Sequence, residues 1–427
     1  MRILWVMTTP MGPASRILNI KQLGSSGGWI QNEYVRLMEG NSNDTEMYFL
    51  CGSRQVKKGT IVSACSEEGK AYCVNLPRIS LGIELPKVIE ANIVQILSAV
   101  NPDIIHIWGT ESCISYGVTK ASPGIKKILY LQGLIGIHGR YRGGYLSKSK
   151  ENNKYREGMP TKTLFRQKIR DIYFEKQIPK EQYIIRNVQG VILDNEFSEA
   201  YCRMVSDGIR CYYRYLLPGP DFLDSCWEYA SCNKNTIFTI YGQSPDKGLH
   251  QLLKALCIVN KQFPDVKLIV PGPFHCRDGK LIEKSKLSAH EIWLSNFIKQ
   301  NGLDENVLFV GKLSAAEMSE NIKNCNVFVN PSCMEIHALS LREALTVGAP
   351  CISSLCGSVL ELVEHSKNGL IYRYEEYEIL AYWICKVLED ENYARNLSQY
   401  AREKMRGYFK AEDLKMLDIY KDVLEID

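Results

Sequence analysis

Apolar and polar positions alternate in two different rhythms along this chain. Short, almost unbroken apolar runs read as buried strands at residues 2–8, 46–50, within 101–109, at 127–131 and at 190–194. Between them, at 29–38, 88–99 and 111–120, apolar side chains return at helical spacing. Residues 61–75 alternate loosely and predict a strand or hairpin excursion, and the glycine-rich 132–139 predict a flexible loop. The rhythm breaks at Pro218, Gly219 and Pro220 and then restarts. Strands follow at 236–241, 266–270, 307–310, 327–330, 350–353 and 369–372. Helices fall at 249–260, 276–300 and 315–323, another carries Glu343 and stops at Gly348, and the chain is mainly helical from 376 onward. Strands apolar on both faces, separated by helices, belong to parallel sheets of βα units. The pattern predicts an α/β protein with domains at 1–220 and 221–400, a boundary between Pro218 and Lys234, and a helical tail, 401–427, packed across both.

Length and charge narrow this modestly. A chain of 427 residues exceeds what one core usually organises, and a net charge of +4 gives no reason to expect nucleic acid as a partner. The charge is uneven, however, since residues 140–176 carry 11 Lys or Arg against 4 Asp or Glu. That predicts either a solvated helix and loop or a surface facing anionic lipid or a phosphate-bearing acceptor. Tyr141, Arg142 and Tyr145 in its glycine-rich start predict a mobile lip. The 15 cysteines, an odd number without a CxxC pair, fit a reducing compartment better than a disulfide framework. The first residues turn polar too quickly for a signal peptide, and no window reaches the roughly 18 apolar residues of a membrane span. The expected location is the cytoplasm, with peripheral contact at the inner membrane face.

The stretch 330–357 gathers the candidate chemistry. It predicts a strand ending at Asn330, a loop bearing Glu335 and a helix whose first turn bears Glu343. Ligands of open parallel sheets bind beyond the carboxyl ends of strands. Two carboxylates with seven residues between them are therefore placed to hold one polar ligand at two points. Ser340-Leu341-Arg342-Glu343 also fits a capping box, in which Glu343 serves only the helix; spacing does not separate that role from a contact to vicinal hydroxyls. The amides near Leu339 and Ser340 would face a phosphate. Lys247, after the 236–241 strand, is either simply exposed or placed to neutralise a diphosphate. Gly27 and Gly28 lie between the first strand and the first helix, as in anion-binding loops, although their spacing is not GxGxxG. The seven histidines show no ligand spacing, and HExxH and DxD are absent, so no metal or other cofactor is expected.

Several stretches, in order, resemble the retaining glycosyltransferases of family 4: Gly27-Gly28-Trp29, NPDIIHIWGTE at 101–111, YLQGLIGI at 130–137, DKGLHQLLKAL at 246–256, and the paired-glutamate run NPSCMEIHALSLREALTVGAPCI from residue 330. The resemblance covers nearly the whole chain. It implies a GT-B fold, two Rossmann-like domains facing a central cleft, the first on the acceptor side and the second binding a nucleotide-sugar. It implies retaining transfer without a metal, from a donor taken here as UDP-linked in preference to GDP-linked, to a saccharide or lipid-linked acceptor, in an association with cell-surface polysaccharide synthesis. Carried over by position, Glu343 binds the donor ribose, Glu335 the sugar hydroxyls, and Lys247 the diphosphate with help from the Gly27-Gly28 loop. Glu335 and Lys247 are the catalytic candidates, Lys312 lies near the base, and Leu339 and Ser340 complete the donor side. Gln243 stands where the family has an arginine, and Ile336 and Ala338 where it has glycines. Gln132 stands where many members have a histidine, with His138 six residues on; these two and Arg142 are the acceptor-side candidates. The alternatives are a sugar-nucleotide epimerase or phosphorylase of the same architecture, and a non-catalytic sugar-nucleotide or glycan-binding protein.

Overall fold

The computed structural model describes residues 1–20, 28–39, 45–76, 85–145, 161–240, 242–272, 276–277, 280–281, 288–410 and 414–426. The chain divides into two compact units, one of Met1–Gly139, Arg166–Leu216 and Glu412–Asp427, the other of Arg140–Phe165 and Leu217–Ala411. Residues 140–165, expected within the first domain, thus go with the second, and the expected 401–427 tail is shared out. Residues 146–160 of the basic segment, with four of its 11 Lys or Arg, lie outside the described residues. Among the described residues no helix is long and apolar enough to cross a membrane.

In the first unit β1 (Arg2–Val6), β2 (Glu46–Ser53), β3 (Ile61–Ser66), β4 (Gly69–Asn75), β5 (Ile104–Trp108), β6 (Lys126–Tyr130), β7 (Gly190–Leu193) and β8 (Arg210–Tyr213) form one sheet, ordered β3-β4-β2-β1-β5-β6-β7-β8. Its pairings are parallel except β3 with β4, the excursion that the loose alternation predicts. Strands β5 and β7 are buried throughout, which is why they read as continuous apolar runs. The last helix, Met416–Glu425, is part of this core. Its Tyr420 hydroxyl accepts from Trp5 Nε1 at 2.9 Å and lies 2.6 Å from His106 Nδ1. Burial, and then the charge of Arg214, push the His106 imidazole well below its usual range. Residues 132–139, expected as a loop, contain the start of a helix, Ile135–Tyr141.

The second unit carries β9 (Thr236–Thr239), β10 (Lys267–Pro271), a small antiparallel pair β11 (Cys276–Arg277) and β12 (Lys280–Leu281), then β13 (Val307–Gly311), β14 (Val327–Asn330), β15 (Cys351–Ser354) and β16 (Leu370–Tyr372). The helix expected from 276 begins only at Ala289, where Ser288 and Glu291 make a capping box. The main sheet runs β13-β10-β9-β14-β15-β16 and is parallel throughout. In sequence terms this is third, second, first, fourth, fifth, sixth, the doubly wound order. Chain direction across the sheet reverses between β9 and β14, so the loops leaving those two strands diverge and leave a crevice at their carboxyl ends. Thr239 ties the two strands just there, its hydroxyl donating to the Val329 carbonyl at 2.8 Å.

Candidate donor site at the strand switch of the second unit

Two glycines bring the loops of this switch together. After β9 the chain makes one turn of 3-10 helix, Pro245–Lys247, and leaves it through Gly248 at φ 70°. A Cβ on Gly248 would lie 1.8 Å from the Pro331 carbonyl oxygen, so only glycine lets the β9 loop pack on the β14 loop. Gly357, at φ 48°, supports the β14 loop from the β15 side, and a Cβ there would lie 1.7 Å from the Glu335 carbonyl oxygen. The Cys333 amide donates to the Asp246 carbonyl at 2.8 Å, and Ser358 donates its amide to the Glu335 carbonyl and its hydroxyl to that of Ile336. Lys247 and Glu335 are therefore held on backbones that cannot drift apart.

Their side chains meet, Lys247 Nζ lying 2.7 Å from Glu335 Oε1. The Ser332 hydroxyl donates to the same carboxylate oxygen. Burial works against the charge of Lys247, but the attraction and hydrogen bond of Glu335 outweigh it and hold the amine above its ordinary range. The side chains keep 30% and 13% of their exposure, enough for a ligand to reach both.

The next helix, Leu339–Val347, corrects the capping-box expectation. It begins two residues earlier than that motif requires, after Ala338 in the left-handed conformation at φ 44°, and no side chain caps it. Ser340 lies inside the first turn, so Glu343 returns no bond to it. Leu339 and Ser340 supply first-turn amides at the carboxyl edge of β14. Among the described residues the half-buried Glu343 carboxylate makes no hydrogen bond. Burial raises its pKa to about 7, against the opposing pull of Arg342. A carboxylate in this state favours a ligand that brings hydroxyl donors. Ile336 and Ala338 are buried.

The other candidates are dispersed. Gln243 is half-buried, and its carbonyl accepts from His290 Nδ1 at 3.0 Å. Lys312 is exposed beyond β13, the sheet edge two strands from β9. Gly28 opens the helix Gly28–Glu39 of the first unit, and Gly27 lies outside the described residues. Gln132 and His138 belong to the first unit, where both flank Gly133 beside Glu111. Arg142, expected on the acceptor side with them, goes instead with the second unit. Its segment is docked there: Tyr374 Oη and His250 Nε2 donate to the Gly144 carbonyl at 3.0 and 3.1 Å, and the Cys333 thiol donates to that of Tyr141. The expectation of a mobile lip is corrected by these bonds. No group of three His, Cys, Asp or Glu side chains arranged for a metal occurs among the described residues.

Residues 228–404 match the family model of glycosyl transferases group 1. That match replaces the family 4 assignment drawn from the ordered set of stretches along the chain, and it is confined to the second half of the chain. Among curated relatives, the Campylobacter jejuni N,N'-diacetylbacillosaminyl-diphospho-undecaprenol alpha-1,3-N-acetylgalactosaminyltransferase is 28% identical over 203 residues, 44% of this chain and 52% of that one. The chain spans about half the length of the curated relatives it matches. Sucrose-phosphate synthase from Thermosynechococcus elongatus aligns over 99% of this chain and 98% of its own, with a TM-score of 0.72 at 17% identity. Anabaena HepE, solved in complex with UDP, aligns over 100% and 99% with a TM-score of 0.63 at 16% identity. At such identities the likeness establishes the fold: two Rossmann-like α/β units of the GT-B type.

Proposed function

We propose that this chain is a glycosyltransferase that takes a nucleotide-activated sugar, UDP-linked in preference to GDP-linked, at the β9–β14 switch of its second unit. Lys247 neutralises the diphosphate, the first amides of the helix at Leu339 and Ser340 add to that field, Glu343 accepts from the ribose hydroxyls, and Glu335 accepts from the sugar. Departure of the nucleoside diphosphate is the step these charges favour, because negative charge builds on the leaving oxygen as the glycosidic bond stretches. The acceptor hydroxyl, on a saccharide or lipid-linked saccharide, attacks from the same face, with retention of configuration and without a metal. Its Gln132 and His138 contacts are on the first unit, and the basic segment 140–176 suits a cytoplasmic membrane surface. Polysaccharide assembly at the cell surface is the setting.

The observation that carries this reading is the Glu343 carboxylate, without a hydrogen bond among the described residues, on an uncapped helix that follows the paired Lys247 and Glu335 at the β9–β14 switch. The group 1 match over 228–404 and the UDP-bound relative of the same fold support it. The test is a donor screen read by release of nucleoside diphosphate in the presence of membrane lipid extract, followed by assignment of the product anomer by NMR. Release from a UDP-sugar that requires the extract, with an unchanged anomeric configuration, is the expected result. Turnover without any acceptor would point to an epimerase or hydrolase instead.

A further inference from the structure

We propose that the Lys247–Glu335 ion pair lets this site tell a nucleoside diphosphate sugar from the bare nucleoside diphosphate. The inference rests on the donor-site reading above. In the protein alone Lys247 Nζ is already neutralised by Glu335 at 2.7 Å, so an incoming diphosphate obtains the ammonium only by drawing it off the carboxylate. Glu335 has no retreat, because its backbone is pinned by Ser358 and packed on Gly357. Once uncovered, it is a largely buried negative charge beside phosphate that has lost its ammonium partner. A ligand that carries a sugar brings hydroxyl donors to replace the lost ammonium, and a bare nucleoside diphosphate does not. The exchange involves hydrogen bonds alone. Its consequence is specificity for the donor over the spent nucleotide: after transfer the re-forming ion pair favours release of the product.

Calorimetry of the full chain with UDP tests this through a double-mutant cycle. Glu335→Gln, which keeps the shape and removes the charge, is expected to bind UDP about fivefold tighter than the wild type, the scale of one partly exposed ion pair. Lys247→Met is expected to bind it about tenfold more weakly, and adding Glu335→Gln to Lys247→Met should recover nothing, because the competition runs through the lysine. Equal or weaker UDP binding by Glu335→Gln overturns the proposal, and so does a gain of the same size in the Lys247→Met background. If Glu335→Gln does not fold, Glu335→Asp, whose shorter arm withdraws from Lys247, carries the same expected sign. Failure of the wild type to bind either UDP or GDP would remove the donor-site reading and this inference with it; binding without the Glu335→Gln gain removes the inference alone.

Discussion

Each unit starts a helix just beyond the carboxyl end of a central strand, and the two helices satisfy their first amides in opposite ways. In the first unit, helix Ile135–Tyr141 is closed by Glu181. That carboxylate is completely buried and accepts from the amides of Ile135 at 2.6 Å and Gly136 at 3.0 Å, from the Tyr201 hydroxyl at 2.6 Å and from the Thr110 hydroxyl at 3.1 Å. In the second unit, helix Leu339–Val347 has no side-chain cap; Glu335 before it is paired with Lys247, and Glu343 makes no hydrogen bond among the described residues. A helix N-terminus attracts anions because its amides are unsatisfied and its dipole is positive there. The first unit answers that attraction internally; in the second, on the reading proposed above, it is left to a ligand. On that reading the same local geometry serves stability in one unit and binding in the other, and the contrast can be broken by mutation.

The largest effect should come from the sealed end. Glu181→Ala strands two buried amides and two hydroxyls, and should cost about 3–5 kcal/mol of stability. Urea unfolding followed by tryptophan fluorescence measures it; a loss below about 1 kcal/mol would mean that water replaces the carboxylate freely. Nucleotide affinity of the folded fraction should not change.

Glu343→Ala should do the reverse. Loss of charged hydrogen bonds to a ribose should weaken UDP binding about 10- to 100-fold while the melting temperature holds or rises. Lower stability with unchanged affinity would assign Glu343 to the fold and remove it from the site.

A smaller effect follows from pH. The Glu343 pKa is raised from 4.5 to about 7, so between those values the folded chain binds a proton that the unfolded chain has released. Stability contributed by this group is therefore greatest at low pH and declines as pH rises through that window. Affinity for UDP should move the other way, because the ionised carboxylate is the better acceptor: between pH 8 and pH 6 it should fall roughly tenfold, with Glu343→Gln flattening the profile. A wild-type profile as flat as that of the variant would contradict the assignment.

Most of the strands were legible because strands covered on both faces are largely apolar, as the fully buried β5, β7, β9 and β14 are. Glycine was the misleading residue. Gly133 and Gly136 read as flexibility, yet a Cβ on Gly136 would lie 2.6 Å from the Tyr201 hydroxyl and one on Gly133 2.8 Å from Glu111 Oε1, so each is a close approach beside or within a helix start. The capping box misled because the Ser-x-x-Glu spacing recurs one turn inside a helix as well as at its start. Lys247 and Glu335 were each legible as strand-end residues, but their contact joins positions 88 residues apart and depends on Gly248 and Gly357. Glu181 had no signal at all: it sits late in the charged 26-residue helix Thr161–Arg186, 45 residues from the Gly136 amide it receives.

The smallest effect sharpens the comparison at one backbone position. Ala338 holds the left-handed conformation that glycine adopts without strain, directly before the uncapped helix. Ala338→Gly relieves roughly 1 kcal/mol of strain, loses a buried methyl group and gains freedom in the unfolded chain. The net change in stability should be within about 0.5 kcal/mol of zero. The informative quantity is then the ligand: with a methyl group gone at the helix entrance, UDP affinity should stay within about twofold if Ala338 only shapes the turn. A gain of tenfold or more, with stability unchanged, would mean that the methyl group stands in the path of the phosphates and that the amides of this helix start are the part of the site most restrained by its own sequence.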